Sequence, residues 1–150
     1  VGDVNARCML AHAATFQGLR ALHHILGEAD GIRLDIIPSA VFCQPEAAMV
    51  GLTEEQCKAQ GIETRVGKAF FRANGKALAM GEPDGYVKLI AERETLRIVG
   101  CHLYGAQAAD LIQEVAALMN ANSTVKQLVQ TVHAHPTLGE AILAAGRNVR

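Results

Sequence analysis

Apolar and polar positions alternate along this chain with two different periods. Over residues 9–26, Leu10, Ala14, Ala21, Leu22 and Ile25 recur at helical spacing with Gln17, Arg20 and His24 among them, so one amphipathic helix is expected, ended by Gly27. Residues 28–31 read as a turn-rich link, and residues 32–37 and 41–43 as extended segments punctuated by Pro38 and Pro45. Thr53-Glu54-Glu55-Gln56 has the form of a capping box, and predicts a short helix stopped by Gly61. Residues 62–71 read as a strand, and Asn74-Gly75 as a turn, because both residue types tolerate positive φ. Residues 86–91 and 96–103 are strand-like runs joined through Glu92-Arg93-Glu94-Thr95 as an antiparallel hairpin. Helical spacing returns over 106–120, with Leu111, Ile112, Val115, Leu118 and Met119 on one broad face. Ser123 or Thr124 opens another short helix containing Leu128, and a last helix begins near Thr137 and carries Leu138, Ala141, Ile142 and Ala145. Strands followed by helices predict an α+β fold, an antiparallel β-sheet flanked by α-helices.

Composition narrows the class. The 150 residues suit one domain with a sizeable core, and 14 basic against 15 acidic side chains offer no field that would steer towards nucleic acid or an anionic membrane. Only six residues are aromatic whereas 25 are alanine, so close helix packing must fill much of the interior. Cys8, Cys43, Cys57 and Cys101 show no CxxC and no zinc-knuckle spacing, and read as packed free thiols. With no apolar run near ~20 residues and no secretory pattern, a cytoplasmic location is expected. A start at Val1-Gly2-Asp3, feeding a helical pattern at once, reads as cut from something longer.

The richest chemistry lies in His133-Ala134-His135-Pro136-Thr137-Leu138-Gly139-Glu140. Three arrangements suit these residue types. Thr137 could cap the last helix while Glu140, three residues on, closes a capping box and the histidines merely turn the chain. His133, His135 and Glu140 could ligate a metal, since two imidazoles and a carboxylate form an open coordination set. Or His135 is a general base whose other ring nitrogen is held by Glu140, the carboxylate fixing the tautomer and favouring the imidazolium that proton exchange with a thiol requires. One Glu140 carboxylate serving both capping and orienting roles is expected to favour one of them.

HAHPTLGEA resembles the HxHPTxxE signature of the flavin-dependent disulfide reductases, most closely the dihydrolipoyl dehydrogenases. Other stretches match in order: Pro38-Ser39 with residues 45–54 (PEAAMVGLTE) resembles IPS and PExAxVGxTE, and residues 73–77 (ANGKA) the AN(G/S)RA turn. Residues 85–89 (GYVKL) resemble GxVKL, residues 100–105 GxHxxG, and residues 109–114 a helix ending in I-x-E. Val1-Gly2-Asp3-Val4 resembles the family's (A/V)GD strand end. No single stretch is specific; their succession is.

The resemblance implies a C-terminal dimerisation domain over residues 38–150, a linker at 28–37, and a remnant of an FAD-binding domain at 1–27. It implies His135 and Glu140 as a catalytic dyad supplied to the partner subunit of a homodimer, with His133, Pro136 and Thr137 structural beside it and Pro136 in a cis peptide. It implies Asp3, Met9, Leu10, Ala11 and His12 as FAD contacts in the intact parent, FAD and NAD as that parent's cofactors, a lipoyl-bearing protein as substrate, and no metal. The sequence contains neither a glycine-rich dinucleotide fingerprint nor a CxxxxC redox pair, so by itself it is expected to bind no cofactor and to be inactive. A glutathione or mercuric reductase is the nearest alternative, but the chain lacks a C-terminal vicinal cysteine pair, and Glu140 is followed by Ala141-Ile142 as in the lipoyl enzymes. A non-catalytic dimerisation or metal-binding module is the alternative of another class.

Overall fold

The computed structural model describes residues 1–150, which divide into two compact units, Val1–Ile37 and Pro38–Arg150. In the first, a single turn at Asp3–Asn5 precedes α1 (Ala11–Leu26), which Gly27 ends in the left-handed conformation, its amide returning to the His23 and His24 carbonyls. Gln17 reaches back from α1 to accept from the Gly2 amide and the Asn5 side chain, at 2.9 and 2.8 Å. Asp30 accepts from Arg20 Nε at 2.9 Å and from the Ile32 amide at 2.9 Å. Residues 34–35 turn and no strand forms over 32–37, so the extended segment expected there is not part of a sheet.

The second unit is built on a five-stranded, wholly antiparallel sheet in the order β1-β2-β5-β4-β3. Its strands are β1 (Ser39–Val41), β2 (Ala47–Gly51), β3 (Thr64–Phe70), β4 (Tyr86–Glu92) and β5 (Ile98–Tyr104). The β4–β5 hairpin is the one the alternating runs predict. By contrast, the extended stretch expected at 41–43 lies earlier, at 39–41, and β2 was not foreseen as a strand. Cys43 is exposed rather than packed, its thiol donating to the Pro45 carbonyl at 3.0 Å; all four cysteines are free, with Cys57 and Cys101 buried. Burial pushes the Cys101 thiol far up, which keeps it inert.

Two helices cover one sheet face: α4 (Ala108–Asn120) lies on β2 and β5, and α6 (Glu140–Arg147) on β3 and β4. Ala108, Ile112, Val115 and Met119 form the buried stripe of α4, while Leu111 and Leu118 are only half-buried at its flanks, so the expected broad face is narrower. The approach of α6 is close because Gly67 has no side chain: a Cβ there would stand 2.1 Å from the Ala145 carbonyl oxygen. On the opposite face, by strand alternation, Cys57 of α2 (Glu54–Ala59) packs with Ile90, Val99, Leu52, Ile62 and Val66.

Local signals fix the short helices. Thr53 and Gln56 form the predicted capping box at α2, and Thr124 and Gln127 a second at α5 (Val125–Gln130), each contributing ~1 kcal/mol. Asn74-Gly75 is not a positive-φ turn: Asn74 sits at φ −104° and caps α3 (Gly75–Ala79), accepting from the Ala77 amide. The strand expected over 62–71 stops at Phe70, since Phe71–Ala73 turn into a 3-10 helix.

Candidate functional site

Between α5 and α6, residues 131–139 form neither helix nor strand, and side-chain hydrogen bonds brace the segment. Thr131 donates its hydroxyl to the Gln127 carbonyl at 2.9 Å, ending α5. Leu138 is buried and pins the far end, while Val132 is 94% exposed at the near end. Thr137 does not cap the last helix as one reading has it: its hydroxyl donates to the Ala134 carbonyl at 2.8 Å, closing the loop, and α6 starts later, at Glu140. The His135–Pro136 peptide is cis.

His135 stands out of this loop with its side chain 77% exposed. Its Nδ1 lies 3.1 and 3.2 Å from the two Glu140 carboxylate oxygens, so Nδ1–H is the donor and, in the neutral ring, the lone pair is on Nε2. Nε2 has no partner within the chain, as a proton acceptor for an arriving molecule requires. Glu140 also accepts from the Thr137 amide at 2.9 Å through Oε2, so the same carboxylate that orients His135 braces the turn leading into α6, without forming the capping box. That amide, and then His135, hold the Glu140 carboxyl below the ordinary glutamate range. Glu140 therefore stays ionised where an unfolded glutamate would protonate, and its contribution to stability, present above the unfolded value, is lost as pH falls through the lower folded one. A carbon-detected NMR titration is expected to place the Glu140 midpoint below that of a free glutamate, with the Thr137 amide shift following it. A midpoint at the ordinary value would mean that neither bond persists in solution.

His133 turns away. Its side chain is 8% exposed, with Nδ1 2.9 Å from the Thr131 carbonyl and Nε2 2.9 Å from Glu114 Oε1 on α4. Both of its nitrogens are engaged, so it has none to offer as a base. The metal arrangement of His133, His135 and Glu140 is not assembled, and no group of three His, Cys, Asp or Glu side chains is placed to hold an ion. A cavity of about 470 Å³ adjoins the dyad, lined by Lys68, Phe70, Asn74, His135, Glu140 and Asn148 among others. Asn74, one of two buried polar side chains, donates to the Thr137 carbonyl at 3.0 Å while capping α3. Sequence reasoning missed that role and that of Glu114; an Asn before a helical run was the available signal for the first, and nothing local pointed to the second.

The remaining expected site residues lie in the first unit. Asp3 has an exposed side chain, Met9 is exposed, and Leu10 precedes Ala11 and His12 at a helix start that no side chain caps. The exposed Asp3 carboxylate suits the hydroxyl groups of a dinucleotide.

The sequence profile of the pyridine nucleotide-disulphide oxidoreductase dimerisation domain matches residues 37–145. Dihydrolipoyl dehydrogenase 3 of Haloarcula marismortui is 39% identical over all 150 residues, which cover 31% of that protein. A dihydrolipoyl dehydrogenase of Bacillus subtilis is 41% identical over 143 residues, 95% of this chain and 30% of that one. The crystal structure of LpdA from Mycobacterium tuberculosis superposes with a TM-score of 0.90 at 32% identity, over 97% of this chain and 32% of the other. The chain thus spans about a third of the length of these relatives. Fold, site loop and sequence agree that it belongs to the pyridine nucleotide-disulphide oxidoreductases and carries their dimerisation domain.

Proposed function

We propose that this chain is the dimer-forming, base-supplying part of a dihydrolipoyl dehydrogenase, and that His135 and Glu140 act as the acid–base dyad in the active site of the partner subunit. The observation that carries this is the exposed His135 ring, with Nδ1 tied to Glu140 and Nε2 free. His135 Nε2 takes the proton from one thiol of a dihydrolipoyl group carried by a protein substrate. The resulting thiolate attacks the redox disulfide of the partner subunit, and the sulfur it displaces leaves as a thiolate. The second substrate thiol gives its proton to that displaced thiolate and attacks the substrate sulfur of the mixed disulfide, closing the lipoyl ring and releasing the other enzyme sulfur as a thiolate, so the substrate dithiol is oxidised and the enzyme disulfide reduced. Glu140 keeps the ring oriented and balances its charge while the proton is held. Asp3 and the backbone at Met9, Leu10, Ala11 and His12 would contact FAD; when bound, that group supplies acceptance of the electron pair and its passage to NAD.

A base lent across a two-fold interface has a test that no single-subunit site passes. Mixed dimers of a His135→Gln subunit and a subunit lacking one redox cysteine, each inactive alone, are expected to regain about a quarter of wild-type turnover. Random pairing makes about half the dimers mixed, and each holds one intact site of two. No recovery on mixing would overturn supply in trans.

A further inference from the structure

The loop that presents His135 has no secondary structure of its own, so something rigid must set where the ring stands. One bond ties the loop's start to a carboxylate on the scaffold, and its end passes close to the same group. Glu114 projects from α4, a helix seated on the sheet by Ile112, Val115 and Met119. One carboxylate oxygen bonds His133 Nε2 at 2.9 Å, near the start of the loop. The other would lie 3.8 Å from a Cβ at Gly139, at its end. Between these points Thr137 closes the loop on Ala134, and His133 bonds the Thr131 carbonyl, so the His133 ring is tied both to its own backbone and to the scaffold. His135, two residues beyond His133, cannot move far while that tie holds.

We propose that Glu114 is a positioning residue for the reaction: acting through His133, it fixes the loop so that the His135–Glu140 dyad stands at a defined height above the sheet. Glu114 itself touches no reacting atom. The His133–Glu114 pair is thus a second histidine–carboxylate pair with a separate task, its imidazole enclosed where that of the first is exposed. This rests on the reading of His135 as the base, because a loop carrying no reactive group needs no such tie.

The test is a double-mutant cycle in the flavin-loaded dimeric enzyme, read as kcat for dihydrolipoamide oxidation, with bound flavin as a control. E114Q is expected to lower kcat about 10- to 100-fold with flavin retained, the loss that a misplacement near 1 Å produces. In a His135→Gln background the same change is expected to cost nothing further, since no base remains to be placed. Wild-type kcat in E114Q, with His135→Gln inactive, overturns the positioning role and leaves the base reading standing. Wild-type kcat in His135→Gln overturns the base reading itself. An equal loss from E114Q in both backgrounds marks Glu114 as a general structural residue and overturns the proposal. Should E114Q not retain flavin, H133A, which removes the donor to Glu114 from the loop side, carries the same cycle. A loss confined to the wild-type background supports the proposal, and an equal loss in both overturns it.

Discussion

His135→Gln in the intact flavoenzyme is expected to lower dihydrolipoamide oxidation by at least ~10², the contribution of a positioned general base, while bound flavin and dimer content stay unchanged. A factor of that size is about 2.7 kcal/mol of barrier. Structure explains why the loss should be confined to chemistry. The His135 side chain is 77% exposed, and its one set of bonds is to Glu140, so glutamine removes no packing and can still donate to that carboxylate. What it lacks is a basic nitrogen opposite the donor. Steady-state turnover beside the flavin absorbance separates the two effects: loss of rate with full flavin identifies the base, whereas retained turnover eliminates His135 from that role.

The dyad was legible in the sequence because residues 133–140 resemble a family signature; the spacing of His135 and Glu140, five positions apart around a proline, left capping and metal arrangements equally open. The capping box at Thr53, the helix opening at Ser123 or Thr124 and the β4–β5 hairpin were legible because each is settled by residues within a few positions. Features fixed by distant partners were not. Residues 47–50 (AAMV) carry two alanines, weak strand formers, and become β2 because they pair with β5 more than fifty positions away. Asn74 reads locally as a turn residue and acts as a cap because the Thr137 carbonyl, 63 positions on, needs its amide. Glu114 is one more polar residue on an amphipathic helix until the loop folds against it. The site therefore has a core visible in a contiguous motif and a support visible only by topology.

The largest effect on stability is expected from Phe71→Ala, at ~3–5 kcal/mol, a sizeable share of the ~5–15 kcal/mol that usually holds a domain folded. Phe71 is fully buried where β3 gives way to the 3-10 turn, with its amide donating to the Gly85 carbonyl at 3.0 Å and its carbonyl accepting from the Asn74 amide at 2.8 Å. Its ring fills the space over Gly105, where a Cβ would stand 2.7 Å from a ring carbon, and φ there is +144°. A glycine has no side chain to swing into the vacated volume, so the cavity stays open and the lost contacts are not replaced. The neighbour supplies the control. Phe70 is 45% exposed, and Arg72 lies 4.8 Å from its ring, so Phe70→Ala removes an aromatic of the same size from the same strand end at a cost of about 1 kcal/mol or less. Urea unfolding of the chain should show a far lower midpoint for Phe71→Ala than for Phe70→Ala, with unchanged slope. Equal midpoints would mean that the ring is not the wedge described here. The same cavity loosens the turn from which Asn74 holds the Thr137 carbonyl, so hydrogen-exchange protection of the Ala77 amide, which Asn74 caps, should fall further in Phe71→Ala than in Phe70→Ala.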